Sequence, residues 1–215
     1  MIDQKAAPAV TCICITRQRP LLVKNAIAYF HNQTFLSRQL VIVFEGNDSL
    51  PWDILSGRSD ITLIELAPGS ELTLGARRNL AIENANGKYI CVWDDDDWHH
   101  PHRLEIQMNN LLMNEKPANV LSRLMLFDSI KGETYLSSKR YWEGTLLCRK
   151  DIFSDNLRYG LLDLGEDNEL LSKLQKRDLV SVTEAPFLYT YVYHGSNTCD
   201  SKHFQQLFEA GYKLD

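Results

Sequence analysis

The chain has 215 residues, 44% hydrophobic and 24% charged, enough to bury a substantial core and to exclude disorder over most of its length. Its formal net charge of −5 argues against wholesale electrostatic binding to nucleic acid, so no nucleic-acid partner is expected, although a local basic site is compatible with it. No run reaches the roughly 18 consecutive apolar residues of a membrane span, and MIDQKAAPAVTCICIT lacks the basic and long apolar regions of a signal peptide.

In chain order, AVTCICIT (9–16) reads as a β-rich strand ending in RQRP, whose proline forces a turn or a helix start. PLLVKNAIAYFHNQ (20–33) carries an imperfect helical stripe, and QLVIVFEG (39–46) reads as a buried strand. DITLIEL (60–66) is a further strand. TLGARRNLAIENANG (73–87) is a helix stopped by Asn86-Gly87, and KYICVW (88–93) is the next strand. Pro101 opens the helix PHRLEIQMNNLLMN (101–114).

This alternation predicts a Rossmann-like, mostly parallel α/β sheet with helices on both faces. Ligands in such sheets gather beyond the carboxyl ends of the strands, where Thr16, Glu45 and Asp94 stand. The second half is mixed. NVLSRLMLFD (119–128), ETYLSSK (133–139) and GTLLCRK (144–150) read as strands, EDNELLSKLQ (166–175) as a helix, APFLYTYVYH (185–194) as a strand and KHFQQLFEAGYK (202–213) as a closing helix. No linker separates two domains, so residues 1–215 are expected to form one unit.

Five cysteines without zinc spacing fit ordinary thiols in a reducing, cytoplasmic setting. Peripheral contact with the inner face of the membrane would run through KHFQQLFEAGYK, which has few cations to anchor it.

WDDDDW (93–98) sets four carboxylates directly after an apolar strand. An isolated acidic run is ordinarily a solvated loop. Here the flanking tryptophans imply partial burial, and crowded carboxylates need protonation, solvation or a cation. Hard divalent ions take one or two carboxylates plus substrate phosphates, and in an extended segment Asp94 and Asp96 point to the same side. His99, His100 and His102 have no spacing suited to a tetrahedral zinc site.

WDDDDWHHPHRL resembles the DXD segment of glycosyltransferase family 2, inverting nucleotide-sugar enzymes of GT-A fold. AVTCICITRQRP is similar to the family's first strand and T-Y-N-R-P loop, with Gln18 in place of asparagine. QLVIVFEGNDS is similar to its second strand, with Phe44 and Glu45 replacing two aspartates. LGARRNLAIENANGKYICVWDDDDW matches its G-x-x-R-N helix, strand and DXD in order.

The resemblance implies a GT-A domain, with a nucleotide-binding half over about 1–115 and an acceptor-binding half over about 116–215. It implies a nucleotide sugar donor, UDP by default, a glycan or lipid-linked acceptor as in polysaccharide biosynthesis, and Mg²⁺ or Mn²⁺. Thr16, Arg17, Glu45, Arg78, Asp94 and Asp95 would meet the nucleotide, and Asp96, Asp97 and His194 the metal. Spacing alone leaves Arg77 and Arg78 open between a solvent-facing pair and a functional one; the resemblance singles out Arg78.

LGEDNELLSKL resembles the family's E-D motif, which implies Asp167 as base with Glu166 beside it. Without the resemblance these acids read as a favourable helix N-terminus. RYWEGTLLCRK implies an acceptor wall at Trp142 and Gly144, with Trp142 stacked on a sugar or packed in the core. The alternative from another class is a non-catalytic glycan- or nucleotide-sugar-binding module that keeps the fold. A nucleotidyltransferase should carry a Gly-rich phosphate loop, and TRQRP has none.

Overall fold

The structure, a computed structural model, describes residues 9–153 and 157–214. Strands β1 (Val10–Ile15) and β2 (Arg38–Glu45) are apolar on both faces, as the middle of a parallel sheet requires. They are joined by α1 (Pro20–His31). There follow the short α2 (Trp52–Leu55), β3 (Ile61–Leu66), α3 (Leu74–Glu83), β4 (Tyr89–Val92), the two-residue β5 (Trp98–His99) and α4 (Arg103–Met113). The second half contributes β6 (Ala118–Leu121), β7 (Met125–Asp128), β8 (Glu133–Leu136), β9 (Trp142–Arg149), α5 (Glu166–Lys176), β10 (Val180–Thr183), β11 (Tyr189–Tyr193), α6 (Ser201–Ala210) and β12 (Tyr212–Leu214).

The main sheet has seven strands in the order β10-β6-β9-β4-β1-β2-β3. All its pairings are parallel except those of β9, which runs antiparallel to both β4 and β6. Side chains alternate across β1 and β2. Cys12, Cys14, Leu40 and Ile42 meet α1 and α4 on one face. Ile13, Val41 and Val43 meet α3 and α5 on the other. Cys12, Cys14, Cys91 and Cys148 are buried free thiols, as their apolar setting suggests.

A second sheet, β12-β8-β7-β11-β5, stands at the carboxyl edge of the first. The segment 119–128, expected as one strand, breaks at Ser122. β6 stays in the main sheet and β7 joins the second. Backbone pairing of Ser122 with Thr183, and the Ser137 hydroxyl accepting from the Leu124 amide, satisfy the crossing. The closing helix ends at Ala210, and Tyr212–Leu214 turns back to pair with β8 instead of extending it.

α6 places Phe204, Leu207 and Phe208 against Tyr135, Tyr191 and Tyr193 of the second sheet. Its apolar side chains therefore pack against the second sheet. No helix among the described residues is long and apolar enough to cross a membrane.

Candidate active site

Parallel pairing brings the carboxyl ends of β1, β2 and β4 side by side, so Thr16, Glu45 and Asp94 emerge together. Trp93 closes β4 fully buried, its indole N–H donating to the Ala26 carbonyl at 3.0 Å. His99 stacks on it at 3.8 Å and contacts the Asp94 carbonyl through Nε2 at 3.2 Å. Burial and Arg103 hold His99 well below its usual pKa, so it is neutral. Arg103 is itself fully buried and donates to the Val92 carbonyl at 3.1 Å, with Nη1 2.5 Å from His99 Nδ1. The histidines after the acidic run are thus packing and backbone ties. Among the described residues no three His, Cys, Asp or Glu side chains form a closed metal cage.

The four aspartates have different partners, except that Asp95 and Asp96 share Arg19. Asp95 and Asp97 are buried, while Asp94 and Asp96 are half-buried, in a turn that joins β4 to β5. Asp94 accepts from Arg78 Nη2 at 3.3 Å. Asp95 accepts from the Thr16 hydroxyl at 2.6 Å and from Arg19 at 3.2 Å. Burial pushes Asp95 up to about 6, Asp96 adding to the rise and Thr16 opposing it. Asp96 meets Arg19 at 3.0 Å and His194 Nε2 at 3.3 Å. Asp97 differs: it accepts from the Tyr189 hydroxyl and, at 2.8 Å, from the Val192 amide of β11. Each of its oxygens accepts one bond from the second sheet, so Asp97, expected as a metal ligand, also clasps the two sheets at the lining of the cleft.

The LGARRN stretch assigns one task to each residue of α3. Gly75 lets the backbone of the 157–165 loop come close: a Cβ there would lie 1.8 Å from the Gly160 carbonyl oxygen. Arg77 is buried and donates to Glu45 at 2.7 Å and to the Leu72 and Ser70 carbonyls. Arg78 is buried too, contacting Asp94 on one side and Glu166 at 3.2 Å on the other, over the Tyr159 ring. Neither arginine faces solvent. Asn79 exchanges hydrogen bonds with the Tyr159 backbone at 3.0 and 3.1 Å, pinning that loop.

Burial works against the charge of Arg78, but Asp94, Tyr159 and Glu166 more than offset it, so its pKa is raised. Glu45 is held below its usual range by the Arg77 hydrogen bond; it also accepts from the Gly69 amide at 3.1 Å and pairs with exposed Arg17 at 3.2 Å. α5 starts after Gly165, whose φ of 79° suits glycine. Burial pushes Glu166 up to about 7, Arg78 opposing and Asp167 reinforcing. Asp167 is half-buried, with one oxygen accepting from the Asn168 amide at 2.8 Å, and lines the same cleft as Asp94 and Asp96.

Trp142 is 4% exposed and covered by the Arg140 guanidinium at 4.3 Å. It packs instead of offering a face to a sugar, because the arginine already occupies that face. Gly144 abuts the acidic run: a Cβ there would stand 3.2 Å from Asp94 Oδ2.

The sequence profile of Glycosyl transferase family 2 matches residues 11–160. The chain belongs to that family. An uncharacterized glycosyltransferase of Methanocaldococcus jannaschii is 30% identical over 118 residues, covering 53% of this chain but only 41% of that protein. S. aureus TarS 1-349 in complex with UDP-GlcNAc superposes with a TM-score of 0.73 at 14% identity, covering 93% of this chain and 64% of TarS. The same protein in complex with UDP gives 0.71, also at 14% identity, over 93% and 69%. The GT-A fold read from the motif order is thereby shown.

Within this family 2 chain, Glu166 and Asp167 lie beyond the matched residues, yet Arg78 ties Glu166 directly to Asp94 of the acidic run. Arg19, which bridges Asp95 and Asp96 and donates to the Ser196 carbonyl at 3.1 Å, was missed as a site residue. Its signal was present: it is the arginine of the R-P pair in the first loop. Tyr189 carried no comparable signal, because it reaches the acids only through the second sheet.

Proposed function

We propose that this chain transfers a monosaccharide from a nucleotide diphosphate-sugar, a UDP-sugar in the first instance, to a hydroxyl of a glycan or lipid-linked acceptor, with inversion. The observation that carries this reading is Arg78, which joins Asp94 to Glu166 and so sets the DXD acids and the α5 acids in one cleft. The nucleotide-sugar complexes of the TarS fold relative support the donor class.

In this reading Asp167 removes the acceptor proton through the oxygen not engaged by Asn168. The acceptor oxygen attacks the anomeric carbon as the bond to the nucleoside diphosphate breaks on the opposite face. Thr16, Arg17, Glu45 and Asp95 would border the nucleotide, and Arg19 and Arg78 would face the diphosphate charge. Asp96 and His194, an oxygen and an imidazole converging within 3.3 Å at the cleft, fit Mg²⁺ or Mn²⁺ that takes its remaining ligands from phosphate and water. Such an ion, when bound, neutralises the departing diphosphate.

The test is metal-dependent hydrolysis and UDP binding over a panel of nucleotide sugars. Asp96→Ala is expected to lose metal-dependent binding. Asp167→Asn is expected to keep UDP binding and lose transfer by roughly 10²–10⁴-fold. Equal activity in all three proteins overturns the mechanism. Binding without turnover on any donor and acceptor supports a nucleotide-sugar-binding module instead.

A further inference from the structure

The acceptor side of the cleft is built on three neighbouring residues. Arg140 sits over Trp142, its guanidinium carbon 4.3 Å from the ring centre, and donates through Nη2 to Glu143 at 2.6 Å. Its backbone is fixed by the Arg140 amide donating to the Ser122 carbonyl at 2.9 Å. The guanidinium is thus held between a buried ring and one carboxylate oxygen. Its remaining N–H groups and the second Glu143 oxygen have no partner among the described residues. Both side chains line the cleft that holds Asp167, and Gly144, next in sequence, touches Asp94.

We propose that Arg140 and Glu143 read the acceptor, and that what they read is the neighbouring hydroxyls of an uncharged sugar. This deepens, and rests on, the transferase reading above. A vicinal diol presents a donor and an acceptor on each oxygen. A fixed guanidinium supplies donors and the adjoining carboxylate supplies an acceptor, so the pair matches a diol. Its charges cancel, which removes the attraction an anionic group would need. Elsewhere in the cleft Arg19 is already balanced by Asp95 and Asp96, and Arg78 by Asp94 and Glu166. Carboxylates outnumber guanidiniums along the lining, which disfavours an acceptor whose reacting unit is phosphorylated or carboxylated. Trp142 is the platform that orients Arg140.

The experiment applies wild type, Arg140→Lys and Glu143→Gln to an array of neutral, phosphorylated and sialylated glycans, with UDP and Mn²⁺ present. UDP affinity and melting midpoint are measured in parallel. Wild type should be retained by neutral glycans. Each variant should lose about tenfold or more of that retention with UDP affinity unchanged. Lysine keeps the charge but not the planar fork, so it should fail as glutamine does. Retention confined to anionic glycans, retention insensitive to both variants, or no retained glycan overturns the proposal. A wild type that fails to bind UDP counts against the transferase reading instead. If Arg140→Lys unfolds, Glu143→Gln alone decides.

Discussion

Arg78 is buried between two carboxylates, Asp94 and Glu166, that stand on different parts of the chain. Burial sets Glu166 near 7, above its ordinary value of 4.5. A carboxyl raised in this way takes up a proton on folding between those two values. It imposes no penalty below about 4.5, and its penalty grows as pH rises through about 7. Wild type should therefore lose stability relative to Glu166→Gln between pH 5 and pH 8, by on the order of 1–2 kcal/mol after allowance for partial solvent access. Urea unfolding of both proteins at the two pH values measures this, and a parallel pH dependence would refute it. At this scale the site was only partly legible. Asp94, Asp96, Arg78 and the α5 acids stand in motifs whose residue types announce charge. Trp142 was ambiguous because an aromatic in a strand looks the same packed or presented, and Asp97 because four identical side chains hide which of them turn inward.

Among the elements, α3 connects the acidic run to the 157–165 loop and the start of α5. Asn79 and Gly75 clamp the 157–165 loop, and Leu74 adds its amide to Asp163 at 3.0 Å. A side chain at Gly75 meets a backbone carbonyl, which cannot turn aside as a side chain could. Gly75→Ala should destabilise the protein by about 1–3 kcal/mol and suppress transfer more than UDP binding, as read by urea unfolding and UDP titration. Undiminished transfer would show that the loop does not position Asp167. The first-half elements were readable because apolar runs and helical stripes alternate with clear stops. The β6–β7 break was not, since NVLSRLMLFD serves two sheets and the polar pair Ser122-Arg123 divides it only with long-range partners at Ser137 and Thr183. β10 and β12 are too short for periodicity to register, and they exist by pairing with β6 and β8.

Across the whole molecule, the two sheets are joined at Asp97. It is buried, burial raises its pKa well above the usual carboxylate range, and Tyr189 and Val192 hold it. Tyr189→Phe leaves that carboxyl with the Val192 amide as its remaining bond, at a cost of about 1–3 kcal/mol. A fall of several degrees in melting midpoint is expected, and an unchanged midpoint would show that the clasp is dispensable. The turn through WDDDDW has one more consequence. Asp95 and Asp97 tie the segment to the first loop and to β11, yet they line the same cleft as Asp94 and Asp96. The side chains that give the cleft its shape therefore also give it its charge, and neither can be altered there without the other.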